Sequence, residues 1–438
     1  MAVNEPDRCN NRYRGSRFQP RLFKQKQGES GTATTARRAL AATLLMGVVL
    51  LCPPLAGGAR EEKGAGLSPQ VHKRLNSIHE LIDQGRDDAA LSALNTLLPQ
   101  VGQRRYEKAV VLQNLAYVQT GRDRFNAAIK AFEESLALKA LPETAQQQMR
   151  YNLAQLYLAS AAPAKAVPIL LEWFDQATDP AAEAYLLLGH AQAQLKHYRK
   201  AIPALQQAIE RAETPHEDWY ETLLAMHYEL KSYPACASLL KQMIRLFPEN
   251  DAYWQQLAGM YMTLNKPAPA LTVLELAWRR GSMKSEQDLI QLVQLYLYQD
   301  IPFKAARLLE AEMNSGRIKR SVSNQELLAN AWTLARERDA AIRAYQQVAA
   351  AGHNAEADFT LAQLYLEDER WDEAAAVLES ALAKTGLRNP GNAWLLLGIA
   401  HYELNAPAAA RGSFQKATRF EATRKTARQW LAHLERHS

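Results

Sequence analysis

The chain has almost no cysteine, three residues in 438, and two of them, Cys9 and Cys52, lie in its first sixty residues. Only Cys236 remains beyond them, so no internal disulfide can brace the body, and packing alone must hold it. The body also lacks a charge surplus. Residues 1–59 contain nine Lys and Arg against three Asp and Glu, which accounts for the whole formal charge of +6. From Arg60 onward the basic and acidic residues balance, which argues against a protein whose affinity comes from neutralising nucleic-acid phosphates. No apolar run approaches the roughly 20 residues of a spanning helix. The longest, "ALAATLLMGVVLL" at 39–51, has thirteen. Phosphate loops, nucleophile elbows and paired-cysteine metal signatures are missing as well.

The leader has an order of its own. Residues 1–38 are polar and basic, 39–51 are apolar, Pro53 and Pro54 break the run, and small residues precede Ala59. That order predicts a secretory signal peptide at 39–59, or an uncleaved anchor through 39–51, and a chance apolar stretch is the bland alternative. In the first two cases the body faces away from the cytoplasm, free or anchored at the membrane. A lipid on Cys52 is disfavoured because the bulky Leu51 precedes it. Residues 60–70 read as a linker.

From 71 to 422 one phrase recurs: "YNLAQLYLASAAPAKAV" at 151, "FTLAQLYLEDERWDEAAA" at 359, "DLIQLVQLYLYQDIPFKAA" at 288. Each copy has an apolar helix, a short break, and a second helix opening on a small residue. Those small residues are Ala90, Ala128, Ala166, Ala201, Cys236, Ala270, Ala305, Ala341, Ala374 and Ala410, spaced 33 to 38 apart. Twelve residues earlier stand Ile78, Ala116, Ala154, Gly189, Leu224, Ala258, Val293, Ala329, Ala362 and Gly398. A small side chain at a helix crossing lets two backbones approach. Leu170, Leu205, Leu240, Leu274, Leu309, Leu378 and Phe414, four residues after the second marker, fill the interior beside it. One hairpin cannot bury its stripe alone, so neighbours must stack. The predicted fold is all-α, a right-handed solenoid of about ten hairpins, closed by a capping helix at 423–438 whose stripe is Trp430, Leu431 and Leu434.

Prolines support the register. Pro163, Pro234, Pro267, Pro302 and Pro407 fall at the break between helices, and Pro99, Pro142, Pro180, Pro215 and Pro248 are expected between hairpins. Tyr157, Tyr261, Tyr296, Tyr365 and Trp332 share one register position and read as packing. His190 and His197, seven apart, invite a metal, but no third ligand stands at useful spacing, so no metal or cofactor is expected. "HEDWY" at 216–220 reads as a helix start with acids at its positive end, and Cys236 as a buried crossing residue. The chain is accordingly expected not to be an enzyme.

A different face of the first helices should line an inner groove. Its candidates for partner binding are Gln113, Tyr117, Tyr151, Gln155, His190, Tyr228, Gln255, Gln294, Asn330, Gln363 and Tyr402. Amides pair with backbone groups and tyrosines give rigid contact area, which suits proteins or extended peptides rather than nucleic acid or a small substrate. Few charges appear in this set, which predicts an affinity that depends weakly on salt.

The period and the residues Trp394, Leu397, Gly398, Ala410, Phe414 and Trp254, Leu257, Ala258, Tyr261, Ala270 resemble the tetratricopeptide repeat. The Lys and Asn clamp that some relatives use for a carboxyl terminus is not evident, which disfavours a chaperone-tail adaptor. More narrowly, "RYNLAQLYL", "WYETLLAMHYELKSYPA", "QLYLYQDIPFKAARLLEAEMNSGRI", "NPGNAWLLLGIAHYEL" and "TRKTARQWLAHL" resemble proteobacterial secreted repeat proteins described as components of the TonB energy-transduction system. That resemblance implies a periplasmic, non-enzymatic scaffold beside TonB, ExbB and ExbD. A general cell-envelope assembly factor with other partners, and an enzyme whose site the sequence hides, are the alternatives.

Overall fold

The computed structural model describes residues 66–437 apart from 353. The expected leader, signal or anchor segment lies outside the described residues. Those residues form two compact units, 66–250 and 251–437. Every regular element among them is a helix, and consecutive helices pair as hairpins. None is long and apolar enough to cross a membrane.

The first unit contains α1 (Pro69–Asp83) with α2 (Asp87–Gln100), α3 (Arg105–Gly121) with α4 (Phe125–Ala137), and α5 (Glu143–Ala159) with α6 (Pro163–Gln176). It continues with α7 (Ala182–Gln194) and α8 (Tyr198–Arg211), then α9 (Glu217–Glu229) and α10 (Tyr233–Leu246). The second unit contains α11 (Ala252–Thr263) with α12 (Pro267–Arg279), α13 (Glu286–Tyr298) with α14 (Pro302–Asn314), and α15 (Val322–Leu334) with α16 (Arg338–Ala350). It ends with α17 (Ala355–Glu367) and α18 (Trp371–Ala383), α19 (Pro390–Glu403) and α20 (Pro407–Ala417), and the unpaired α21 (Glu421–His437).

The small residues sit where the repeat logic puts them. All ten second-helix markers, from Ala90 to Ala410 and including Cys236, are fully buried. So are the large residues four positions on, and each such Leu or Phe contributes about 1.5–3 kcal/mol by leaving water. The geometry also shows what the first-helix marker is for. A Cβ on Gly189 would lie 2.8 Å from Leu205 Cγ, and one on Gly398 would lie 2.5 Å from Phe414 Cε1. At these two hairpins the first-helix marker is glycine because the large residue four beyond the second-helix marker presses on it.

Each hairpin turns through one residue in the left-handed region, five before the second marker. Gly85, Asp123, Ala161, Lys196, Lys231, Asn265, Asp300, Arg336, Glu369 and Asn405 all have φ between 54° and 69°. The next residue's N–H then bonds back to the carbonyl five residues earlier, as His197 does to Gln192 at 2.9 Å and Arg370 to Tyr365 at 2.9 Å. This six-residue ring closes one helix and aims the next. Pro163, Pro267, Pro302 and Pro407 follow at the first helical position, where a missing N–H loses no helical bond. Pro99, expected between hairpins, lies instead in the last turn of α2.

The register aromatics Tyr157, Tyr296, Tyr365 and Trp332 are buried, and Tyr261 is half-buried. At the carboxyl end Trp430 of α21 stacks on Phe414 with ring centres 5.4 Å apart, and Leu434 is buried. The stripe read in the sequence thus covers the face that α20 would otherwise expose.

Two stability experiments follow from this geometry. Gly398→Ala is expected to cost about 1–3 kcal/mol through overpacking, and Phe414→Leu in the same chain to recover part of that loss; equal denaturation midpoints for Gly398→Ala and the parent would contradict the close crossing. Ala161→Gly is expected to raise stability by roughly 0.5–1 kcal/mol, because a left-handed Ala is strained and Gly is not; chemical denaturation of the variant measures the sign.

Candidate functional site

All eleven residues proposed to bind a partner fall on first helices: Gln113 and Tyr117 on α3, Tyr151 and Gln155 on α5, His190 on α7, Tyr228 on α9. In the second unit Gln255 lies on α11, Gln294 on α13, Asn330 on α15, Gln363 on α17 and Tyr402 on α19. Ten are half-buried and Gln363 is exposed.

In the first unit side chains link successive first helices into a row. His79 on α1 lies 2.7 Å from Asn114 Oδ1 on α3, and Asn152 on α5 donates to the Tyr117 hydroxyl at 3.3 Å. Tyr117 also meets Phe132 edge-on, centres 5.3 Å apart. Tyr151 packs against Trp173 at 5.1 Å and bonds to Gln155. Burial pushes its phenol up to about 12, with the negative charge of Glu183 on α7 adding to the rise and the bond to Gln155 opposing it. Burial holds His190 below its ordinary 6.5, partly offset by Asp218 on α9. Tyr228 is raised chiefly by burial and meets Tyr233 at 6.0 Å.

The second unit arranges its candidates differently. Asn330 accepts a 2.8 Å bond from Tyr345 of its own hairpin. Tyr402 is covered by α21: its ring lies 5.3 Å from Trp430, and its hydroxyl is 3.1 Å from His433 Nε2. A residue so placed holds the last helix in position.

The row also contains carboxylates that the candidate set passed over. On the first helices, positions six and three before the marker and one, four and five after it share the candidates' face. In the first unit these positions hold Asp83, Glu183, Asp218, Glu221 and Glu229. In the second they hold Glu326, Glu356, Glu367 and Glu403. None of these positions, in any hairpin, holds Lys or Arg. Cations reach some acids from elsewhere: Arg388 lies 3.3 Å from Glu356 and Arg338 3.5 Å from Glu367. Counting the face to its edges shows this in the sequence, and it adds acids to a groove expected to have few charges.

Other titratable groups are absorbed by structure. Glu312, buried, accepts from Trp278 Nε1 at 2.8 Å and from Arg317 Nε at 2.6 Å. Asp358, buried, accepts from Ser380 at 2.8 Å and Lys384 at 2.5 Å. Cys236 is fully buried, and that burial pushes its thiol up to about 11, far from a nucleophile's range. His216 precedes the first residue of α9 and stacks on Trp219 at 4.6 Å, while Glu217 and Asp218 occupy the first turn. His197 is tied to Gln192 at 3.1 Å, on the turn side of α7 from His190. Among the described residues no group of three or more His, Cys, Asp or Glu is placed to hold a metal ion.

The lowered histidines give a pH test. His190 and His227 both titrate below 6.5 in the folded chain because burial disfavours their charged forms. The unfolded chain therefore takes up protons first as pH falls. The stability they contribute is complete above 6.5 and is lost as pH drops through their folded values. Thermal unfolding from pH 7 to about 5.5, above the carboxylate range, should show a falling midpoint in the parent, and a flatter course in His190→Gln with His227→Gln.

The tetratricopeptide-repeat family models match residues 331–388 and 359–424, and a second such model matches 182–215. No curated protein matches the sequence. Among solved structures, a tetratricopeptide repeat protein from Parabacteroides merdae is similar at 16% identity, over 60% of this chain and 99% of that one, with a TM-score of 0.35. YrrB, described as a repeat protein with an unusual peptide-binding site, is 15% identical over 42% of this chain and 90% of its own, TM-score 0.34. The repeat domain of P58(IPK) is 18% identical over 77% and 98%, TM-score 0.24. The matches to the tetratricopeptide-repeat models fall in both units, at 182–215 in one and 331–424 in the other.

Proposed function

We propose that the chain is a non-enzymatic scaffold that holds extended polypeptide segments along its first-helix rows. One observation carries this reading: in the first unit side-chain hydrogen bonds join the first helices α1, α3 and α5, and the candidates' face of its five first helices contains carboxylates and no Lys or Arg. Amides and hydroxyls on that row can meet backbone groups of an extended chain, and Tyr151 offers a rigid ring. The carboxylates select for Lys or Arg on the bound segment. Attraction of that kind weakens with salt, opposite to what the uncharged candidates alone suggested.

The setting we propose is the periplasm, with the body free or tethered at the inner membrane, and the role that of an accessory to a TonB-type outer-membrane transport complex. The leader at 39–59 and the five stretches that resemble the TonB-associated group support this reading. A general envelope assembly factor would use the same row for other partners.

The row is tested with fluorescein-labelled twelve-residue peptides, one of alternating Lys and Gln and one of alternating Glu and Gln. The lysine peptide should bind more tightly, and its affinity should fall several-fold between about 0.05 and 0.3 M salt, as the Debye length shrinks. Tyr151→Ala should weaken it about tenfold, the loss expected of a central aromatic anchor. Equal affinity for both peptides, or an unaffected Tyr151→Ala protein, would refute the assignment. A photocrosslinking residue at Gln155 in cells, followed by mass spectrometry and fractionation, tests the setting: adducts with TonB-complex components in the periplasmic or inner-membrane fraction are expected, and adducts confined to cytoplasmic proteins would overturn it.

A further inference from the structure

A second surface lies on the other helices of the first unit. The second helices α6 and α8 belong to neighbouring hairpins, and each contains a proline two residues after its small marker, Pro168 and Pro203. No other hairpin has one there. Proline has no N–H, so the helical bonds to the carbonyls of Ala164 and Arg199, four residues earlier, cannot form. Both residues line one open groove of about 650 Å³, with Val167, Leu171, Leu188 and Leu195 as its apolar surface. Leu171 is 46% exposed, unusual for a leucine in an otherwise well-packed hairpin. Arg199 and Lys200 supply the charge beside His197, and no carboxylate lines the groove. The neighbouring acid, Glu172, is held 3.0 Å from Arg150. Among the described residues neither Arg199 nor Lys200 makes an ion pair, and both are exposed.

We infer that this groove docks an acidic polypeptide segment carrying aliphatic side chains, a partner distinct from the basic segment assigned to the first-helix row. Aliphatic groups would cover Leu171 and its neighbours, and carboxylates would meet Arg199 and Lys200. Backbone N–H groups would supply the donors that Pro168 and Pro203 withhold from the Ala164 and Arg199 carbonyls. An anionic amphiphile meets the first two demands and not the third, which is why the polypeptide is favoured. The inference does not depend on the first-helix reading.

The test uses the full chain and fluorescein-labelled twelve-residue peptides of alternating Asp and Leu, their Asn and Leu counterparts, and an N-methylated version of the acidic set. The acidic set should bind at least tenfold more tightly than the other two. The double variant Arg199→Glu, Lys200→Glu, and separately Leu171→Glu, should each weaken it at least tenfold with unchanged thermal unfolding. Binding of the lysine peptide to the first-helix row should survive all three substitutions, so failure of one reading is separable from failure of the other. Acidic peptides that fail to bind, or that bind the variants equally, overturn the inference. So does equal affinity of the N-methylated set, or binding only of oleate or of phosphatidylglycerol vesicles, which would make the groove an amphiphile site. A mass by light scattering that halves in the double variant would make it a contact between copies and overturn it as well.

Discussion

The structure depends on how closely two helices can cross. Within each hairpin a small residue on the second helix is fully buried and a large residue one turn later is buried with it, pressing on the first helix at Gly189 and Gly398. At Gly398 even a methyl group would overlap the Phe414 ring. With no disulfide available in the described chain, this contact, repeated from pair to pair, takes the place of a cross-link. It also explains why Cys236 can stand in an alanine's position: the site selects by volume and by the absence of charge, and a buried thiol satisfies both.

Once the crossing is fixed, everything outside it follows from register. Residues one, four and five after the first marker, and three and six before it, share a face that the crossing does not use. At its border His79 and Tyr117, one residue after their markers, meet Asn114 and Asn152, two residues before the markers of the next first helices. The hairpin turns keep it in line, because each passes through one left-handed residue and closes the same backbone ring. A turn of nearly constant geometry lets the faces of successive hairpins form a row instead of scattering.

How much of this could be read beforehand differs from residue to residue. The markers, the buried Leu and Phe after them and the α21 stripe were legible because packing acts on volume and polarity, which are visible in residue identity. The left-handed turns were not: Lys196, Lys231, Arg336 and Glu369 show none of the Gly or Asn preference that would reveal such a position. The turn is imposed by the helices it joins. Tyr402 was legible as a groove position and not as a residue that α21 covers, since that requires knowing where a distant helix docks. The carboxylates of the row were present in the sequence, but only a count across the full width of the face reveals them.

The chain's electrostatics require the same distinction between totals and faces. From Arg60 onward the charges cancel, which argues against a nucleic-acid binder, yet a sum of zero says nothing about where the charges sit. In the first unit Glu183, Asp218 and Glu221 lie on first helices, whereas Arg199 and Lys200 lie on the second helix α8, at a groove that α6 and α7 also line. Helix pairing produces this separation, since the two helices of a hairpin expose opposite sides once their apolar stripes meet. On the two proposals above, a neutral body built this way offers one face for cationic and another for anionic segments. On that reading salt weakens both, while the net charge from Arg60 onward, and with it the long-range steering by the body, stays near zero.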